Sequence, residues 1–100
     1  MNGKQIMDKV ITYNTSELTS IKAQMATVLD KMAAAIPTLK ASGMSDLDIR
    51  TQADMTIRQQ LRRTLNGKED YMVERDGRTA IIGIGATVAN AIVDMFESKI

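Results

Sequence analysis

Apolar residues recur at seven-residue spacing through the first half of the chain, which predicts a long amphipathic helix. One series with seven-residue spacing consists of Leu18, Met25, Met32 and Leu39. A second series between these positions consists of Ile21, Val28 and Ala35, and Leu29 and Ile36 widen the stripe. A stripe of this width is typical of a core helix in a small bundle, and an intermolecular coiled coil is the alternative. Asn14 and Glu17 provide an N-terminal cap, and Ala33 to Ala35 permit the close approach of another backbone. Pro37 is expected to kink or end this helix near Ile36, and Gly43 is expected to stop the turn that follows.

Two shorter amphipathic helices are predicted at the ends of the sequence. Asn2 to Tyr13 carries four apolar residues at helical spacing: Ile6, Met7, Val10 and Ile11. The last helix is expected from about Ala86 to Lys99, with one apolar face formed by Val88, Ile92, Met95 and Phe96. An apolar terminal helix in a domain of this size indicates a surface for a second subunit, so these four residues are the predicted oligomer interface.

The middle of the chain contains two helix-capping patterns. Ser45 with Asp48 predicts a helix that begins at about Asp46, and Thr56 with Gln59 predicts a second start. Apolar residues four apart, from Ile49 to Leu65, advance about 400° per step, so over four steps they drift about 160° around one α-helix. We therefore prefer a break near Asp54-Met55, whereas one continuous helix packed on two sides also fits the pattern. Asn66-Gly67 supplies a stop after Leu65.

A β-hairpin is predicted after this stop. Tyr71, Val73 and Arg75 alternate with Met72 and Glu74, and Thr79 to Ile82 resumes a β-rich run. Asp76-Gly77 between them is a strong signal for a tight hairpin turn.

Composition limits the chemistry of this 100-residue chain. It contains no Cys and no His, so it lacks disulfides, thiolate and imidazole metal ligands, and the commonest general base. No Asp/Glu array has calcium-site spacing, and the Gly83-Ile84-Gly85 segment has Val88 where a dinucleotide-binding turn requires its third glycine. We therefore expect no metal, no cofactor and no enzymatic activity. Eight Met and only 3% aromatic residues indicate an adaptable aliphatic core, and a net charge of +1 limits electrostatic arguments to local clusters.

The predicted elements from Ser45 to Ile82 are a helix, a short turn, a second helix and two strands joined by a tight turn. This order resembles the winged helix-turn-helix family of DNA-binding domains. In this resemblance TIRQQLRRTL, from Thr56 to Leu65, corresponds to the recognition helix and YMVERDGRTAII, from Tyr71 to Ile82, to the wing. The family likeness implies that Arg58, Gln59 and Arg63 contact base edges and that Arg62, Arg75 and Arg78 neutralise phosphates. The alternative for each Arg is a solvated helix face or a surface ion pair.

The expected fold is thus one mainly α domain with one β-hairpin, winged-helix-like, with apolar terminal helices suited to dimerisation. It comprises N-terminal helices in 1–43, a helix-turn-helix plus hairpin in 45–82, and a C-terminal helix in 86–99. The expected function is a small, cytoplasmic, non-enzymatic regulator that binds double-stranded DNA as a homodimer. The alternative is a helical protein-binding module, an inhibitor or assembly factor of viral or mobile-element type that uses Met- and Ala-rich faces. No membrane span is expected, because the longest apolar run, Ala80 to Val93, is too short.

Overall fold

Helices make up most of the protein. The computed structural model describes residues 1–12, 16–65, 70–75, 78–83 and 86–100, and side chains are described outside 66–87. The elements are α1 (Gly3–Val10), α2 (Ser16–Ala41), α3 (Asp46–Leu65), β1 (Asp70–Arg75), β2 (Arg78–Gly83) and α4 (Ala86–Glu97). The prediction of a mainly α chain is therefore confirmed.

The four helices described form a ring in which each helix runs antiparallel to its neighbours. Met25 of α2 contacts Thr64 near the end of α3, whereas Ile36 and Ile49 lie together at the other end of this pair. α1 packs against both α2 and α4, and α4 packs against α3. This is the arrangement of an up-and-down four-helix bundle.

The core lies at the centre of this ring, and among the residues with described side chains it is aliphatic apart from Phe96. No polar or charged residue is buried among the residues with described side chains. The most fully buried large side chains come from all four helices: Ile6, Met7, Leu18, Met25, Leu29, Ile49, Ile57, Ile92 and Phe96. The predicted apolar faces of α1 and α4 and most of the predicted α2 stripe therefore meet in a single cluster, whereas Ala35 of that stripe is exposed.

The predicted break near Asp54-Met55 is wrong, because α3 is one helix from Asp46 to Leu65. Its five apolar residues at four-residue spacing are all buried: Ile49, Ala53, Ile57, Leu61 and Leu65. Since α3 packs against α2 and also against α4, its buried face can rotate along its length and stay covered. Thr56 is consequently an interior residue of the helix and not a cap.

The winged-helix part of the predicted fold is wrong for the same reason. A helix-turn-helix unit needs a turn between two helices, and residues 46–65 contain none. β1 and β2 pair antiparallel, with Asp70 opposite Gly83 and Arg75 opposite Arg78. The predicted Asp76-Gly77 turn, the Asn66-Gly67 stop and the Asn14 cap lie outside the described residues.

α2 passes through Pro37 and ends at Ala41, so the helix does not end near Ile36. A proline inside a helix costs about 3 kcal/mol, because it lacks the amide hydrogen and crowds the preceding turn. Burial of Ile36 and packing of Leu39 on the core offset this cost. The predicted stop at Gly43 is confirmed: Gly43 has φ +92°, Met44 N donates to Leu39 O, and Gly43 N donates to Lys40 O.

α3 begins where the sequence places it. The Ser45 Oγ accepts from the Asp48 amide at 3.1 Å, which satisfies an amide at the helix start. α2 and α3 are therefore joined by a short turn with a defined stop and a defined start, as in an αα-hairpin.

Gly3 sets the distance between α1 and α2. Asn2 and Gln5 form a reciprocal capping box, and the Gly3 amide donates to Asp30 Oδ1 at 2.7 Å. Asp8 and Lys22 form an ion pair at 2.9 Å toward the other end of α1. A Cβ at position 3 would lie against the Ala26 carbonyl group, so the two backbones touch only because residue 3 has no side chain.

Replacing Gly3 by alanine is expected to lower the free energy of unfolding by about 1–3 kcal/mol, measured by urea denaturation. The added Cβ would come within 2.9 Å of the Ala26 Cα, a cost that exceeds the helix propensity gained by alanine. Adding Ala26→Gly to Gly3→Ala is not expected to restore stability, since the obstacle is backbone. Full recovery in this double variant would contradict the close backbone contact.

No helix in the described part of the chain is both long and apolar enough to cross a lipid bilayer.

Candidate functional site: the outward face of α3

Two large apolar side chains project into solvent from α3. Leu47 is 70% exposed and Met55 is 56% exposed, whereas nearly all other large apolar residues with described side chains are at least partly covered. Single exposed apolar residues are ordinary, but these two lie eight residues apart on the outward side of one helix. They are the two most exposed large apolar side chains among the residues with described side chains.

Leu47 and Met55 border a shallow groove between α3 and the end of α4. Its volume is about 300 Å³, and its walls also include Arg50, Thr51, Asp54 and Glu97. The groove thus combines two apolar contacts with charges of both signs. A mixed lining of this kind is typical of protein–protein contact surfaces, where apolar anchors are surrounded by polar groups.

Arg58, a predicted base-contacting residue, is partly exposed and forms hydrogen bonds within the protein. Its Nε donates to Asp54 Oδ1 at 2.6 Å, and its Nη2 donates to Asn90 Oδ1 of α4 at 2.7 Å. The hydrogen bond from Arg58 to Asp54 raises the pKa of the guanidinium above its ordinary value, and the opposite charge of Asp54 adds to this effect. Arg58 therefore joins α3 to α4 through two of its guanidinium nitrogens.

The remaining predicted nucleic-acid contacts have different surroundings. Gln59, Arg62 and Arg63 are exposed near the end of α3, and no ion pair joins them to other described residues. Cations in the last turn also stabilise the helix end through its dipole. Arg75 and Arg78 are opposite each other in the strand pair, and their side chains lie outside the described part.

The structure places the predicted oligomer interface in the core of the single chain. Val88, Ile92 and Phe96 are buried, and Met95 is half-buried and packs on the same cluster. These side chains already cover α1, α2 and α3, because α4 closes the ring. The four predicted interface residues therefore do not form an apolar surface that is exposed for contact with a second subunit.

The described residues contain no group of three or more Asp and Glu residues arranged to hold a metal ion, and no unpartnered polar side-chain atom is buried among them. The raised pKa of Arg58 follows from its structural hydrogen bond to Asp54.

Sequence reasoning missed the importance of Leu47 and Met55. The signal is present, because both residues fall outside the series from Ile49 to Leu65 that the core uses. It becomes visible only when α3 is treated as one helix. With a break near Met55, that residue would instead lie in a turn between two helices.

Comparison with protein-family models, with curated proteins and with solved structures finds no match to this chain.

Proposed function

We propose that this protein is a small non-enzymatic interaction module that docks another protein on the outward face of α3. The observation that carries the proposal is the exposure of Leu47 and Met55 beside the groove that ends at Glu97. Apolar side chains on the outside of a well-packed bundle do not stabilise its core. They favour association, because a partner that covers them removes apolar surface from water.

The rigidity of α3 supports this proposal. The helix is fixed on one side by five buried residues and at Arg58 by a connection to α4. Its outward side chains are consequently presented in a fixed arrangement, which lowers the ordering cost of binding. Helix-to-helix docking through a few apolar anchors is a common mode of peptide and protein recognition.

Duplex DNA binding is the second candidate, and exposed Arg62 and Arg63 favour it. All six arginines of the chain occur between residues 50 and 78, whereas the lysines occur elsewhere apart from Lys68. Arginine is suited to phosphate contacts, so the end of α3 could attract a nucleic-acid backbone. This candidate requires no winged-helix fold.

Both candidates are tested by capture experiments with the tagged protein and extract from its source cells, with and without nuclease. Under protein docking, we expect one protein bound in a stoichiometric amount, unaffected by nuclease and reduced at least tenfold by Leu47→Ser with Met55→Ser. Ala34→Ser with Ala41→Ser is the matched control, because both alanines are exposed on α2.

Other outcomes contradict the docking proposal. Capture that disappears with nuclease or with Arg63→Ala would support DNA binding, and a steep decrease with salt would accompany it. Capture that the control pair reduces as strongly as the α3 pair would place the contact away from Leu47 and Met55.

A further inference from the structure

The outward face of α3 contains a charge pattern that is complementary to itself. Asp48, Met55 and Arg62 lie seven residues apart, so they form one line along the helix, and all three are exposed. The line has an acid at one end, an apolar residue at its centre and a base at the other end. We refer to these three residues as the α3 stripe.

We propose that the α3 stripe is the contact surface for a second copy of this chain, packed antiparallel about a two-fold axis at Met55. This self-association proposal rests on the proposed docking function of the same face, and it identifies the docked protein as a second copy of the chain. In such a pair, the two Met55 side chains meet at the axis. Asp48 of each copy lies beside Arg62 of the other copy, which forms two equivalent ion pairs.

Asp48 and Arg62 are too far apart to form an ion pair with each other within one chain. Asp48 and Arg62 are 14 positions apart in one helix, so about 21 Å separates them along its axis. They cannot pair within the chain. Neither residue forms an ion pair with any other part of the described chain, unlike Arg58, whose acid lies four residues away on the same helix.

The charge pattern of the α3 stripe favours an antiparallel orientation of the two α3 helices. A parallel pair with Met55 against Met55 would place Asp48 against Asp48 and Arg62 against Arg62, and both contacts would be repulsive. The antiparallel pair replaces both with attractions. Between the ends, Thr51 and Gln52 of one copy lie opposite Arg58 and Gln59 of the other, which are polar groups able to exchange hydrogen bonds.

The size of the surface indicates a weak dimer. The α3 stripe is about 21 Å long and one helix wide, which is smaller than the roughly 800 Å² per partner of a standard stable interface. Exposed ion pairs contribute only about 0.2–1 kcal/mol each, and salt screens them. We therefore expect association at high protein concentration and dissociation on dilution or in about 1 M salt.

Charge reversal tests the proposal by sedimentation equilibrium from about 10 µM to about 1 mM protein. Asp48→Arg alone and Arg62→Asp alone each place like charges together twice in a homodimer, so each is expected to weaken association at least tenfold. An equimolar mixture of the two variants is expected to associate again, because every pair in the mixed dimer then joins opposite charges. The double variant Asp48→Arg with Arg62→Asp is expected to dimerise as the natural chain does.

Controls distinguish loss of the proposed dimer contact from misfolding of the variants and from association through another surface. Lys31→Asp on the exposed side of α2 makes the same charge change as Arg62→Asp and should leave the dimer unchanged. Circular dichroism should show native helix content for each variant. A natural chain that stays monomeric at 1 mM, or a mixture that does not associate, would overturn the self-association proposal. Neither result affects the extract capture test with Leu47→Ser and Met55→Ser, which decides the docking function separately.

Discussion

Phe96→Ala is expected to lower the free energy of unfolding by about 3–5 kcal/mol. Phe96 is the single phenylalanine of the chain, it is 1% exposed, and its ring lies between α2, α3 and α4 beside Ile36, Ile49 and Ala53. Truncation would leave a cavity where three helices meet, because the surrounding backbones cannot collapse fully into the space. Urea denaturation followed by circular dichroism measures the loss.

The controls for Phe96→Ala distinguish a core residue from an interface residue. Asp94→Ala on the exposed side of α4 is expected to change stability by less than about 0.5 kcal/mol. The loss with Phe96→Ala should be equal at low and high protein concentration, because the contacts are within one chain. A loss of unfolding free energy that appears only at high protein concentration would indicate that Phe96 lies in an intermolecular interface. That result would contradict the ring of four helices.

Met55→Pro is expected to destabilise the protein by about 3 kcal/mol or more. In one continuous α3, proline at position 55 removes an amide hydrogen from the middle of the helix and crowds the carbonyl of Thr51. The Met55 side chain is mostly in solvent, so the effect reports on the backbone and not on lost packing. Thermal or urea unfolding of dilute protein, below the concentration at which copies associate, is the measurement.

Met55→Ala is the matched control and should stay within about 0.5 kcal/mol of the natural chain. If residues 46–65 instead formed two helices with a corner at Asp54-Met55, proline would lie in the corner and be tolerated. A Met55→Pro variant as stable as Met55→Ala would therefore contradict the continuous helix. The pair of variants tests the one feature on which the predicted and observed folds disagree most.

Local signals in the sequence predicted the helix ends well. Gly43 and Ser45 act through hydrogen bonds to residues at most five positions away, so their effect can be derived without knowledge of the tertiary structure. The helix start predicted at Thr56 is wrong, and Pro37 does not end α2, for the opposite reason. Both are ordinary end signals, and packing against other helices overrides them: Ile36 is buried in α2, and Ile57 is buried in α3.

The candidate site was less predictable than the fold. The sequence indicated a basic outward face on α3 and identified Arg62 and Arg63, which are exposed. It could not show that Arg58 bonds to Asn90, because these residues are 32 positions apart and meet only when α4 packs on α3. Nor could it assign Val88, Ile92 and Phe96 to the chain's own core before the ring was known.

Closure of the helix ring joins the first and last helices of the chain. The other neighbouring pairs follow one another in sequence, so most of the bundle can assemble through contacts of low contact order, whereas the meeting of α1 with α4 requires closure of the longest loop. We infer that the α2–α3 pair nucleates folding and that the seam between α1 and α4 forms last. The same seam is then the place where the native protein opens first, and its amides should lead the exchange of hydrogen with solvent.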